Sequence, residues 1–243
     1  MSRVTVHPWQ PAPSDWVISD NHVLIFRVDL SARPTAKDNA FLSDAERSRA
    51  AQFRFDEHRD HWILCRSALR HLLGHAIDVS PANVPITYNA HGKPQLLDNP
   101  IHFNVSHSHD IALIALSRNC EVGIDVELLN DAPDLPAIAR RFFTAAEQSF
   151  VTSGPPELLS TRFYQCWTRK EALLKSLGHG LLEPLENFDV SPTLASLVSR
   201  HSLSNLDPAR SHLFVEVRPS DTSIATLVTD PAVNVIHLYF LAD

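Results

Sequence analysis

The amino-acid sequence predicts an α+β fold made of two similar α+β subdomains, related by a pseudo-twofold axis, with an active site at their interface. An order of elements recurs: each half carries a capping box, a short helix, a longer helix ending in Leu-Gly-His (Leu73 to His75, Leu177 to His179) and then a strand (Val84 to Ile86, Phe188 to Val190). The polar motifs are also divided between the halves. An arginine-bearing helix and a Gly-Lys-Pro turn fall in the first, and an acidic strand and a Lys-Glu helix fall in the second. A site between the halves draws on all of them. The expected boundary separates residues 1–119 from residues 120–243.

The elements follow in order. Residues 1–20 are proline-rich and aperiodic and read as an irregular leader. Asn21 to Leu30 reads as a strand, although its alternation is imperfect. Ser43-Asp44-Ala45-Glu46 is a capping box and opens a helix to about Phe55. A second helix over Asp60 to Ala76 sets Trp62, Cys65, Leu69 and Leu73 on one face, with Arg59, Arg66 and Arg70 elsewhere and Gly74 as its stop. Val84 to Tyr88 is a short strand, followed by a turn at Asn89 to Gly92. Ile101 to Ser106, Ile111 to Ser117 and Cys120 to Leu128 are three further strands.

Thr144-Ala145-Ala146-Glu147 is a second capping box. The long helix over about Glu157 to Leu177 turns Phe163, Trp167, Leu174 and Leu177 to a core, and gathers Lys170, Glu171 and Lys175 on the adjoining flank. Gly178 and Gly180 stop it. His212 to Val217, Thr222 to Val228 and Val233 to Leu241 read as an antiparallel meander.

Composition narrows the function classes. An apolar content of 44% with 20% charged residues describes a soluble globular chain. The net charge of −7 and the absence of a basic run argue against nonspecific nucleic-acid binding, so any anionic ligand is held by a few placed cations. No apolar run approaches the roughly 20 residues of a membrane span. The N-terminus has no secretory h-region, so a cytoplasmic location is expected. Cys65, Cys120 and Cys166 have neither disulfide nor zinc spacing.

The chemistry-bearing residues are few. Asp125 and Glu127, two apart in a strand, share a face while Ile124 and Val126 take the other. Like charges side by side are costly unless a cation lies between them, and Glu171 supplies a third acid. Asp125 and Glu127 alone could be a solvated strand face, and Glu171 with Lys175 alone is a helical pair worth about 0.2–0.5 kcal/mol. His102, His107 and His109 lack the companions of a structural zinc site. Gly92-Lys93-Pro94 lacks the frame of a nucleotide-binding P-loop and alone reads as a hairpin turn.

Taken together, Gly92-Lys93-Pro94, Phe103-Asn104-Val105-Ser106-His107, Gly123-Ile124-Asp125-Val126-Glu127 and Trp167 through Leu181 match, in order, G-K-P, F-N-x-S-H, G-I-D-x-E and W-x-x-K-E-A-x-x-K-x-x-G-x-G-L. The chain thereby resembles the 4′-phosphopantetheinyl transferase superfamily, in its longer single-chain type that activates peptide and polyketide synthetase carrier proteins. The resemblance implies transfer of the phosphopantetheine arm of coenzyme A, the co-substrate, to a serine of an apo acyl or peptidyl carrier protein. Adenosine 3′,5′-bisphosphate is released.

The resemblance further implies Mg²⁺ on Asp125, Glu127 and Glu171, a base in Glu171 or a water on the metal, and neutralisation of the leaving phosphate by Lys175. Lys93, Pro94, Ser106, His107 and Lys170 match coenzyme A contacts, with His107 at the 3′-phosphate. A phosphate-binding arginine of the family falls at His61, which leaves Arg59, Arg66 and Arg70 as neighbouring alternatives. The W-x-x-K-E-A form leans toward siderophore and peptide-synthetase relatives, and two subdomains in one chain imply a monomer. A catalytically idle binder of carrier protein or coenzyme A, and a metal-dependent phosphodiester hydrolase, are the alternatives. The helical segment from Pro136, with Arg140 and Arg141 among Ile138, Phe142 and Phe143, is either a docking surface for an acidic carrier protein or part of the scaffold.

Overall fold

The computed structural model describes residues 4–178, 185–191, 198–202 and 211–241. The expectations for His179, Gly180 and Leu181 lie outside the described residues. The elements run β1 (Thr5–Pro11), β2 (His22–Asp29), α1 (Ala36–Phe41), α2 (Asp44–Ala50), α3 (Asp56–Ile77), β3 (Ile86–Tyr88), β4 (Pro94–Leu96), β5 (Ile101–Ser108), β6 (Ile111–Arg118) and β7 (Val122–Leu128). They continue with α4 (Leu135–Phe142), α5 (Ala145–Thr152), α6 (Leu159–Leu177), β8 (Val198–Ser202), β9 (Ser211–Ser220), β10 (Ser223–Thr229) and β11 (Val235–Phe240).

Two sheets lie face to face between helices, so the order of layers is α3, sheet, sheet, α6. The first sheet has strand order β1-β11-β2-β6-β5 and the second β7-β10-β9-β8, while β3 and β4 form a separate hairpin. Val23, Ile25, Leu113 and Ala115 of the first sheet meet Ile124, Val126, Val215 and Leu227 of the second in one core. Leu24, Phe26, Ile114 and Leu116 face the opposite way and pack with Leu69, Leu72 and Leu73 of α3. A strand buried on both faces needs an unbroken apolar run, which explains the imperfect alternation of β2. On the far side, Phe214 and Val228 pack with Ala172, Leu173 and Leu174 of α6.

The α+β class holds, and several local expectations are corrected. Residues Thr5–Pro11, read as an irregular leader, form a strand paired in parallel with β11. β11 does not complete a meander with β9 and β10; it enters the first sheet in parallel beside β2. Residues 120–243 therefore do not make a separate unit, because the first sheet is incomplete without β11. A proper face-to-face core requires Ile236 and Leu238 to join the layer between the sheets, and that nonlocal burial outweighs hairpin proximity.

In the N-terminal half, an additional capping box, Thr35 with Asp38, opens α1. α3 runs through Gly74 and stops at Asp78, which takes the left-handed conformation with φ 55°. Gly74 is retained for room instead: a Cβ there would lie 2.7 Å from the Val79 carbonyl oxygen. The Ser43 and Thr144 boxes and the left-handed Gly178 that ends α6 are as expected. No helix among the described residues is long and apolar enough to cross a membrane.

Candidate active site

β7 and α6 build the site together. Val122, Ile124 and Val126 of β7 are committed to the core between the sheets, so Gly123, Asp125 and Glu127 face α6. At Gly123 the helix crosses the strand so closely that a Cβ would overlap the Ala172 carbonyl oxygen and the Ser176 nitrogen. This approach brings Glu171 and Lys175, one turn apart on α6, over the two strand acids. The Lys175 ammonium donates to Asp125 Oδ1 at 2.6 Å and to Ser106 Oγ at 3.0 Å. Lys175 thus serves Asp125 rather than forming the simple helical pair with Glu171.

β5 reaches the same acids from the other side. The free edges of β5 and β7 are joined by side chains: Asn104 Oδ1, Ser106 Oγ and Ser108 Oγ accept from the backbone N–H of Ile124, Val126 and Leu128 at 2.8, 3.2 and 3.2 Å. Each serine also donates to an acid, Ser106 to Asp125 Oδ1 at 3.0 Å and Ser108 to Glu127 Oε2 at 3.1 Å. The Trp167 side chain lies near enough to Glu127 to lower its carboxyl slightly, so its ring is not only a core element. Asn104, Ser108 and Trp167 were not read from the sequence as site residues. The signal was available in the polar residues at every second position of β5, which face a strand edge rather than solvent.

The electrostatics favour an added cation. Burial raises the carboxyls of Asp125, Glu127 and Glu171 above their ordinary values. The charge of Asp125 is the next cause for both glutamates, and Lys175 opposes the shift in all three. Asp125 Oδ2 is buried with no hydrogen-bond partner. Among the described residues no three His, Cys, Asp or Glu side chains are gathered closely enough to enclose a metal ion. An open set of oxygen donors with one orphaned lone-pair site nevertheless fits Mg²⁺, which binds through few carboxylates and completes its shell from water and substrate phosphate.

A cavity of about 260 Å³ opens beside these groups, lined by Gly92, Lys93, Pro94, Asn104, Glu171 and Lys175 among others. The β3–β4 hairpin that forms its wall is strapped to the end of α6, since Asn89 Nδ2 donates to the Gly178 carbonyl at 3.1 Å. The Lys93 ammonium pairs with Glu121 at 3.1 Å and lies 3.4 Å from the Ser176 carbonyl oxygen. Lys93 therefore lines the cavity and also ties the hairpin to the second half. Gly92 supplies the left-handed conformation, φ 82°, that the turn requires.

His107 stands at the end of β5. Burial, then the charges of Lys175 and His61, keep it below the usual histidine range, so its ring is neutral at pH 7. His61 lies on that side of the molecule, 3.5 Å from Asp110. Two expected cations are engaged elsewhere. Arg59 pairs with Asp56 and Asp60, and Arg66 pairs with Glu46 at 3.1 Å and hydrogen-bonds the Tyr88 hydroxyl.

Lys170 is a correction. It has no exposed surface, pairs with the equally buried Glu147 at 2.9 Å and donates to the carbonyls of Leu185 and Phe188. It cannot contact coenzyme A from there. Its position one residue before Glu171 turns it about a hundred degrees around the helix, away from the acids and into the packing beneath residues 185–190.

Sequence comparisons give a consistent result. Residues 121–227 match the model of the 4′-phosphopantetheinyl transferase superfamily, and residues 33–119 match that of the 4′-phosphopantetheinyl transferase N-terminal region. The 4′-phosphopantetheinyl transferase HetI of a Nostoc species is 33% identical over 227 residues, 91% of this chain and 93% of the relative. Sfp of Bacillus subtilis is 28% identical over 162 residues, 66% of this chain and 71% of the relative. AcpT of Escherichia coli is 32% identical over 152 residues, 62% of this chain and 74% of the relative.

Proposed function

This chain belongs to the 4′-phosphopantetheinyl transferase superfamily and is a transferase of phosphopantetheine to carrier proteins, and from that premise we propose how its own residues divide the work. Coenzyme A is the co-substrate and enters the cavity walled by Gly92, Lys93 and Pro94, with Asn104 and Val105 at its β5 side and Ser106 and His107 further along that strand. The neutral ring of His107 donates one N–H to a phosphate oxygen, while His61, Arg59 and Arg66 belong to the surrounding helix and set the local potential. Asp125, Glu127 and Glu171 would hold Mg²⁺. When bound, the ion supplies charge neutralisation to the pyrophosphate under attack.

The chain's own groups supply the rest. Glu171, its carboxyl raised by burial and by Asp125, takes the proton of the incoming serine hydroxyl. The serine oxygen forms a bond to the phosphorus that carries the pantetheine arm, and the P–O bond to adenosine 3′,5′-bisphosphate breaks. Lys175, held beside Asp125, offers its ammonium to the leaving phosphate. The observation that carries the reading is the convergence of three acids raised by burial, one lysine and the unpartnered Asp125 Oδ2 next to that cavity.

We further propose that the enzyme works as a monomer in the cytoplasm, without membrane or nucleic-acid partners, on carrier domains of siderophore or antibiotic assembly. Incubation with Mg²⁺, coenzyme A and apo acyl, aryl and peptidyl carrier domains should add one phosphopantetheine mass to at least one of them. No gain on any carrier, with or without Mg²⁺, would remove the assignment, and a gain that is indifferent to metal chelation would remove the metal. A stable dimer by light scattering at micromolar concentration would contradict the monomer.

A further inference from the structure

The side chains that join β5 to β7 are not interchangeable edge fillers. Asn104 faces the position of Gly123, where β7 has no side chain, and uses its amide oxygen only to accept from Ile124. Ser106 and Ser108 stand at the next two steps, where β7 carries Asp125 and Glu127, and each adds a donated hydrogen bond to the acid. Accepting from a strand N–H requires only an oxygen lone pair. A hydroxyl at these two steps brings in addition a hydrogen that a carboxylate can use.

Ser108 lies outside the stretch matched to the family motifs, and its hydroxyl has two tasks at once: it accepts from Leu128 N–H at 3.2 Å and donates to Glu127 Oε2 at 3.1 Å. Glu127 is the acid that most needs such a restraint. It has one more rotatable bond than Asp125, the ammonium of Lys175 bonds to Asp125 rather than to it, and the like charge of Asp125 lies beside it. We propose that Ser108 is a positioning residue of the phosphopantetheinyl transferase reaction, fixing the Glu127 carboxylate in the orientation from which it binds the divalent cation. Asp125 and Glu171 would still hold the ion, so loss of Ser108 weakens the site without abolishing it.

The proposal rests on the metal reading above, and Mn²⁺ binding to the full-length protein without coenzyme A tests both. Free Mn²⁺ is counted by its electron paramagnetic resonance signal, a readout independent of turnover. Ser108→Ala should weaken Mn²⁺ binding about tenfold, the usual scale for an outer-shell partner of a ligand. Ser108→Thr, which keeps the hydroxyl, should bind within about twofold of the parent, whereas Ser108→Val, its isostere without the hydroxyl, should behave like Ser108→Ala. The Thr and Val pair keeps the test valid if the alanine variant fails to fold.

Equal Mn²⁺ affinity in the parent, Thr and Val proteins would overturn the role of Ser108 while leaving the metal site intact. A parent protein that binds no Mn²⁺, or one whose binding survives Glu127→Gln, would overturn the metal reading and the Ser108 role with it. Turnover adds an independent check: the Mg²⁺ concentration for half-maximal rate should rise in Ser108→Val, with the KM for carrier protein unchanged.

Discussion

Lys175 Nζ lies 2.6 Å from Asp125 Oδ1, an ion pair between the last turn of α6 and the middle of β7 in which the aspartate is 6% exposed and the lysine 29%. In the mechanism proposed above, the pair sits beside both the bound cation and the leaving phosphate. Lys175→Met should therefore lower kcat/KM by about a hundredfold or more, the scale for removing a charged group that acts on the developing transition-state charge. Steady-state rates from carrier mass shift, measured at saturating Mg²⁺, check it. A rate within threefold of the parent would confine Lys175 to a structural role.

Gly123→Ala tests the crossing that sets this pair. The added methyl would meet the backbone of Ala172 and Ser176, which cannot rotate away as a side chain would. The variant should lose about 3 kcal/mol or more of stability, at the upper end of overpacking effects, or shift α6 and lose activity while folded. Urea unfolding with parallel activity measurement separates the two results. A stable and fully active variant would show that the crossing is looser than described.

Lys170→Met should unfold the protein more readily without affecting the ligand. Removing one partner of the buried Lys170 and Glu147 pair leaves a charge uncompensated, at a cost of about 3–5 kcal/mol. Where the variant remains folded, its Kd for coenzyme A by calorimetry should stay within about twofold of the parent. A tenfold weaker Kd at unchanged stability would return Lys170 to the binding site.

Glu121 gives a pH dependence with a definite sign. Burial alone would raise its carboxyl, but hydrogen bonds and charge from His102 and Lys93 outweigh burial and hold it at about 2, below its ordinary 4.5. The unfolded chain takes up this proton first as pH falls, so the contribution present above about pH 4.5 is lost progressively toward pH 2. Urea midpoints at several pH values should show a shallower acid decline in Glu121→Gln than in the parent. Identical slopes would place the acid sensitivity elsewhere.

The segment after β7 tests carrier docking. Phe143 is buried in the core, Phe142 is half-buried under the Arg141 guanidinium, and Arg140 and Arg141 are both exposed. The phenylalanines thus belong largely to the scaffold, and the exposed arginines can meet an acidic partner. Arg140→Glu with Arg141→Glu should raise the KM for carrier protein about fivefold and leave the KM for coenzyme A in place. An unchanged carrier KM in a folded variant would assign the whole segment to the scaffold.

Local periodicity was sufficient for a large part of this protein. The two-residue repeat alone put Asp125 and Glu127 opposite Ile124 and Val126, and the helical repeat with a following glycine located α6 and its end at Gly178. Both are properties of a chain segment and its backbone geometry, so no distant residue is needed to read them. The family motifs likewise singled out Lys175 and Glu171 as candidates by their place in the chain. What the helical repeat could not tell was which charged residue on α6 faces the acids and which faces the interior, because nearly the whole circumference of that helix is covered. Lys170 is buried because Glu147 and the carbonyls of Leu185 and Phe188 satisfy its ammonium, and those partners come from other elements.

The placement of β11 was also beyond local reading. Its residues would suit a meander, but pairing beside β2 fills the layer between the sheets with Ile236 and Leu238. The role of Ser108 has the same origin. A serine in a strand carries no mark of its function until the free edge of β7 is set beside it, and only tertiary packing decides which backbone N–H and which carboxylate come within reach of one hydroxyl.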